Sequence, residues 1–68
     1  MKLNIKWENK YSLETGYVGK VSKAKGYFEN ADKEGAKSYA SMKTVEKDLA
    51  ILNEIGEADN NNFYVEEA

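Results

Sequence analysis

The sequence predicts an α+β domain: a four-stranded antiparallel meander with one amphipathic helix packed across one face, in the order ββββα. Three observations predict it. Ser41 to Gly56 repeats apolar residues at helical spacing. The segments before it alternate apolar and polar residues with the two-residue period of a half-buried strand. Short runs of Asn, Asp, Lys and Gly separate those segments as turns. All 68 residues are expected to form one domain, close to the lower size limit for a chain that folds alone.

The first strand is expected over about residues 2–8, where Leu3, Ile5 and Trp7 alternate with Lys2, Asn4, Lys6 and Glu8. Glu8-Asn9-Lys10 is a turn. The second strand spans about 11–22, with Tyr11, Leu13, Thr15, Tyr17, Gly19 and Val21 on the face shared with Trp7. A three-residue loop pairs Trp7 with Tyr11, Ile5 with Leu13 and Leu3 with Thr15. After a turn at 22–25 the third strand covers about 25–31. Phe28 points inward over Gly19, a ring covering a glycine, and Tyr27 points outward. Asp32 to Gly35 has the composition of a hairpin loop. A fourth strand at 36–41 then places Tyr39 opposite Phe28. The rival for this region is a helix over 31–40, which Gly35 opposes at about 1 kcal/mol relative to alanine.

The helix is expected over about 42–55. Met42, Val45, Leu49, Leu52 and Ile55 share one arc, while Lys43, Glu46, Lys47, Ala50 and Glu54 lie opposite. Ser41 or Thr44 serves as N-cap, Glu46 and Asp48 lie near the positive end of the dipole, and Gly56 closes the helix. Asp48, at the edge of the apolar arc, is expected to touch a lysine or tyrosine of the sheet. A polar loop at 57–62 leads to Phe63-Tyr64-Val65, a short edge strand at 63–66 or an apolar tail.

Composition argues mainly by exclusion. Without cysteine or histidine there is no disulfide, no zinc-ligand spacing and no imidazole base. The glycines are scattered rather than gathered into a phosphate loop, and no acidic run has the ligand order of a calcium loop. No catalytic residue, metal or cofactor is expected, and nothing in the spacing suggests a serine–lysine nucleophile pair. No apolar run is long enough to span a membrane and no signal peptide is evident, so the expected location is cytoplasmic. The chain lacks proline, arginine and glutamine and is rich in lysine, asparagine, glutamate and tyrosine. That bias suits an AT-rich coding sequence, hence a low-GC bacterium or a phage or mobile element living in one.

Charge divides the chain. Residues 1–28 hold six lysines and two glutamates, net +4; residues 29–68 hold four lysines and ten acids, net −6. Internal complementarity between a lysine-bearing sheet and an acidic helix and tail is the favoured explanation, because polyanion sites usually draw on arginine too. The function expected is therefore non-enzymatic binding of another protein, as a small accessory or inhibitory factor. Glu46, Glu54, Glu57, Phe63 and Tyr64 are the candidate contacts, and association of two copies is compatible with them. The runner-up is nucleic-acid binding by the outer sheet face through Lys2, Lys6, Lys20, Lys25 and Tyr27, with Val18 on the same face. Acidic mimicry of DNA by the C-terminal half comes third.

Trp7, Thr15-Gly16 and the run Lys25-Gly26-Tyr27-Phe28, on a three-stranded sheet followed by a helix, resemble the arm-type DNA-binding domains of phage integrases. The resemblance covers about residues 7–40 and implies a sheet that enters a DNA groove. The chain departs from that family in having no arginine and in the stretch Asp32 to Ala36, where the family passes from strand to helix.

Overall fold

The computed structural model describes residues 2–55 and 60–67. Three strands, β1 (Leu3–Asn9), β2 (Thr15–Ser22) and β3 (Tyr27–Ala31), precede the helix α1 (Met42–Glu54), and β4 (Asn61–Glu67) follows it. The strands form one antiparallel sheet in the order β3-β2-β1-β4, and α1 packs on one face. This is the α+β class expected, with the fourth strand supplied by the C-terminal segment.

Alternation in β1 holds: Leu3, Ile5 and Trp7 share the inner face, and Ile5 is fully buried with Val18, Val45 and Leu52. The hairpin register differs from the expected one. Trp7 pairs with Gly16, Lys6 with Tyr17 and Glu8 with Thr15. The cause is a longer loop. Asn9 Oδ1 accepts the backbone N–H groups of Tyr11 and Ser12, each at 2.9 Å. Leu13 takes a left-handed φ of 63°, and Asn9 N–H donates to the Glu14 carbonyl to close the turn. The shift is by an odd number of residues, so β2 turns over. Tyr11 and Leu13 are left 79% and 69% exposed, Tyr17 moves to the outer face, and Val18, expected outside, enters the core. A ring does cover a glycine, but it is Trp7 over Gly16: a Cβ there would lie 2.7 Å from Trp7 Nε1.

Phe28 points inward and Tyr27 outward, as expected, but Phe28 pairs with Val21, because the four-residue loop is 23–26 rather than 22–25; a bulge between Val18 and Lys20 then shifts the register at Gly19. Trp7, Phe28 and Phe63 form an aromatic group at one end of the inner face, Phe28 meeting Phe63 edge-on at 5.4 Å.

Residues 36–41 form neither the expected strand nor the rival helix. Their small side chains (Ala36, Ser38, Ala40, Ser41) offer little to pack on a sheet, whereas Phe63, Tyr64 and Val65 are typical strand formers. Asp32 Oδ1 caps a tight turn at Gly35 N–H. The chain then makes one bridge, Leu3 with Tyr39, which buries Tyr39 beside β1 rather than opposite Phe28. β4 pairs with β1 along its whole length, from Leu3–Glu67 to Asn9–Asn61.

The helix begins and ends within a residue of expectation. Ser41 is the N-cap by position, but its hydroxyl makes no capping bond; the Thr44 hydroxyl instead donates to the Ser41 carbonyl at 2.9 Å. The first turn holds no acid, so Glu46 and Asp48 lie beyond the reach given them. The buried line runs Val45, Asp48, Leu52, Ile55, which leaves Leu49 half-buried and Met42 exposed. The C-cap assigned to Gly56 falls outside the described residues.

Candidate functional site

One face of the sheet is covered by α1; the other carries the candidate site. Strand alternation places Asn4, Lys6 and Glu8 of β1 there, with Thr15, Tyr17, Lys20 and Ser22 of β2. Tyr27, Glu29 and Ala31 of β3 and Asn62, Tyr64 and Glu66 of β4 complete it. The register aligns Tyr64, Lys6 and Tyr17 in a row across three strands. Tyr64 is 48% exposed, and the Tyr17 hydroxyl donates to Glu66 Oε2 at 2.7 Å, tying β2 to β4 over β1. That bond favours the neutral phenol and raises the Tyr17 pKa, with burial and the Glu66 charge acting the same way. Shallow depressions of about 380 Å³ and about 550 Å³ flank the row, and Lys6 and Thr15 line both.

The sign of charge on this face is mixed. Its strands present two lysines, Lys6 and Lys20, against three glutamates, Glu8, Glu29 and Glu66, and Lys20 stands directly opposite Glu29. Lys25 lies in the β2–β3 turn and Lys2 precedes β1, both exposed. The five residues of the nucleic-acid reading therefore do not form a continuous basic surface.

The protein-binding candidates are also dispersed. Glu46 and Glu54 are exposed on α1, on the other side of the sheet from Tyr64. Phe63 is half-buried on the inner face, and Glu57 lies outside the described residues. Only Tyr64 belongs to the row. Tyr17 is absent from the expected contacts because its face depends on the hairpin register, for which the Asn9 turn chemistry is the sequence signal.

A second polar cluster sits at the start of the helix. Asp48 accepts hydrogen bonds from the buried Tyr39 hydroxyl at 2.5 Å and from Lys37 Nζ at 2.9 Å, and Lys37 lies 5.0 Å from the Tyr39 ring centre. This is the lysine-and-tyrosine contact expected of Asp48, made by the segment that precedes the helix. Burial alone pushes the Asp48 carboxyl up, but the bonds from Tyr39 and Lys37 and the charges of Lys37 and Lys47 outweigh it and hold the pKa below its usual value. Burial, then the bond to Asp48, raises the Tyr39 phenol well above its usual range. Each group is satisfied by the others, so the cluster is a clasp between the 37–39 segment and the helix. Tyr39→Phe is expected to cost about 1.5–3 kcal/mol, the range for a hydrogen bond to a charged group, measured by urea unfolding. A depressed carboxyl stabilises above its unfolded pKa of about 4 and ceases to do so as pH falls through the lower folded value. Stability should therefore fall on acidification below about pH 4, and Asp48→Asn should flatten that limb.

Among the described residues no group of three or more acidic side chains is placed to hold a metal ion, and no helix is long and apolar enough to cross a membrane. No family model, curated protein or solved structure matches the chain.

Proposed function

We propose that the protein is a non-enzymatic binding factor, accessory or inhibitory, whose partner is another protein engaged through the outer sheet face. The observation that carries this reading is the Tyr64–Lys6–Tyr17 row, with Tyr64 exposed and Lys6 and Tyr17 half-buried, on a face of mixed charge. Tyrosine supplies a large contact area together with a hydrogen-bonding tip, and it is enriched at the centres of protein interfaces. A nucleic-acid backbone would meet three glutamates among two lysines there, without the arginine forks that grip phosphate. The buried titratable cluster at Asp48 has its donors and acceptor matched to one another, which favours a structural role over a catalytic one. The arginine-free, lysine- and asparagine-rich composition supports a source in a low-GC bacterium or one of its mobile elements.

Panning a random peptide library against the immobilised protein tests the reading. Enriched peptides should bind at least about ten-fold more weakly, a loss of about 1.4 kcal/mol, to a Lys6→Ser, Thr15→Arg double variant that removes the centre of the row and fills the depressions beside it. They should bind unchanged to a Glu46→Lys, Glu54→Lys variant on the helix side. Tight, salt-sensitive binding of random-sequence DNA, lost when Lys6, Lys20 and Lys25 are all replaced by glutamate, would overturn it.

A further inference from the structure

We propose that β4 is a homodimerisation edge, at which two copies of the chain pair antiparallel about a two-fold axis through Tyr64 and join their sheets into one. This goes beyond the reading of the outer face and does not depend on it.

Backbone direction fixes what β4 offers. Leu3 exchanges both backbone bonds with Tyr39, and Asn9 N–H donates to Glu14, so the odd-numbered residues of β1 point toward the β2 side. Lys10 N–H donates to the Asn60 carbonyl, so the even-numbered residues point toward β4. With Lys6 opposite Tyr64, the backbone groups of Asn62, Tyr64 and Glu66 are directed at β1, and those of Phe63, Val65 and Glu67 at the sheet edge. An antiparallel ladder forms only where outward residues meet outward residues. Centring the axis on Tyr64, the middle residue of Asn61–Glu67, satisfies this over the full strand: Phe63 faces Val65 of the second copy, and Glu67 faces Asn61.

The strand lacks the usual protection of an exposed edge. It contains no proline, no lysine and no bulge, and its centre is Phe-Tyr-Val. Its two carboxylates stand together at one end. Antiparallel pairing sets Glu66 against Asn62 and Glu67 against Asn61, keeping the carboxylates of the two copies apart, whereas parallel pairing would stack them. Side chains match on both faces. Phe63 and Val65, each half-buried, meet on the inner face, and the two Tyr64 rings meet on the outer face at a position of close approach. The other edge does not suit the same arrangement: β3 is shorter, and its middle residue is Glu29, which symmetric pairing would set against itself. An isologous contact of this kind closes on itself and leaves no repeating surface for a fibre.

The full chain has no cysteine, so single thiols report the register. In a non-hydrogen-bonded antiparallel pair the Cα atoms lie about 4.5 Å apart, within disulfide range. Under a glutathione redox buffer, Tyr64→Cys should cross-link to itself. Asn62→Cys and Glu66→Cys should cross-link rapidly when mixed and slowly when either is alone. Sedimentation equilibrium of the unmodified chain should show the mass rising from monomer to dimer with concentration, and Tyr64→Lys should weaken the dimer at least about ten-fold while leaving the circular dichroism spectrum unchanged. A monomer at all concentrations up to about 1 mM would overturn the proposal. So would a dimer indifferent to Tyr64→Lys, or an Asn62→Cys variant that links to itself as fast as to Glu66→Cys.

Discussion

Deleting residues 60–68 is expected to abolish cooperative folding. The segment looks peripheral in sequence, yet as β4 it pairs with β1 along its full length and makes β1, which carries the fully buried Ile5, an interior strand. Its loss removes Phe63 from the aromatic group with Phe28, removes Val65 from the core margin, and frees the Tyr17 hydroxyl from Glu66. Full burial of one such apolar side chain is worth about 1.5–3 kcal/mol, and both are partly buried here, before the lost ladder is counted. A single core in a chain of this length rarely supplies more than about 3–5 kcal/mol in total, so the deletion removes most of the margin. The near-ultraviolet circular dichroism signal of the tyrosines and Trp7 should collapse, and the thermal transition should become broad and non-cooperative. A truncated chain that melts cooperatively within a few degrees of the full one would mean that β4 is an appendage.

Leu52→Ala is expected to have the second-largest effect. Leu52 is fully buried and joins Ile5, Val18 and Val45 at the centre of the helix–sheet contact. Truncating a leucine so placed costs about 2–5 kcal/mol, since transfer free energy is lost and a cavity is left. Leu49→Ala should cost distinctly less, because Leu49 is only half-buried at the core's edge. Urea unfolding of both variants measures the difference. A larger loss for Leu49 than for Leu52 would contradict the observed rotation of the helix.

That rotation shows where sequence reading succeeds and where it stops. Periodicity placed the helix correctly, because a run of apolar residues at helical spacing is a local signal. It did not decide which edge of the arc turns inward. Met42 lies out and Asp48 in because Tyr39 and Lys37 hold the Asp48 carboxylate, a contact set by the preceding segment. Alternation likewise found the inner face of β1, and an assumed four-residue loop gave the orientations of Tyr27 and Phe28, although Phe28 faces Val21 rather than Gly19. It failed in β2, where the Asn9 side chain builds a longer turn and one odd step exchanges Tyr17 for Val18. The choice between residues 36–41 and Asn61–Glu67 as the fourth strand depended on a pairing between the two ends of the chain, which no local pattern reports. The candidate site inherits both difficulties. Tyr64 was legible as a candidate contact in the C-terminal segment, and Lys6 as an outward lysine. Their alignment with Tyr17 required the true hairpin register and the true neighbour of β1.

The outer sheet face is the surface proposed to bind a protein partner. The most direct test is to follow backbone amide resonances while titrating the peptides that the protein selects. The prediction is that shifts concentrate at Lys6, Thr15, Tyr17 and Tyr64, with Glu46 and Glu54 on the helix unmoved, and that random-sequence DNA leaves the spectrum unchanged at physiological salt. Shifts confined to the helix, or a DNA-induced footprint over Lys6, Lys20 and Lys25 that fades as salt is raised, would contradict it.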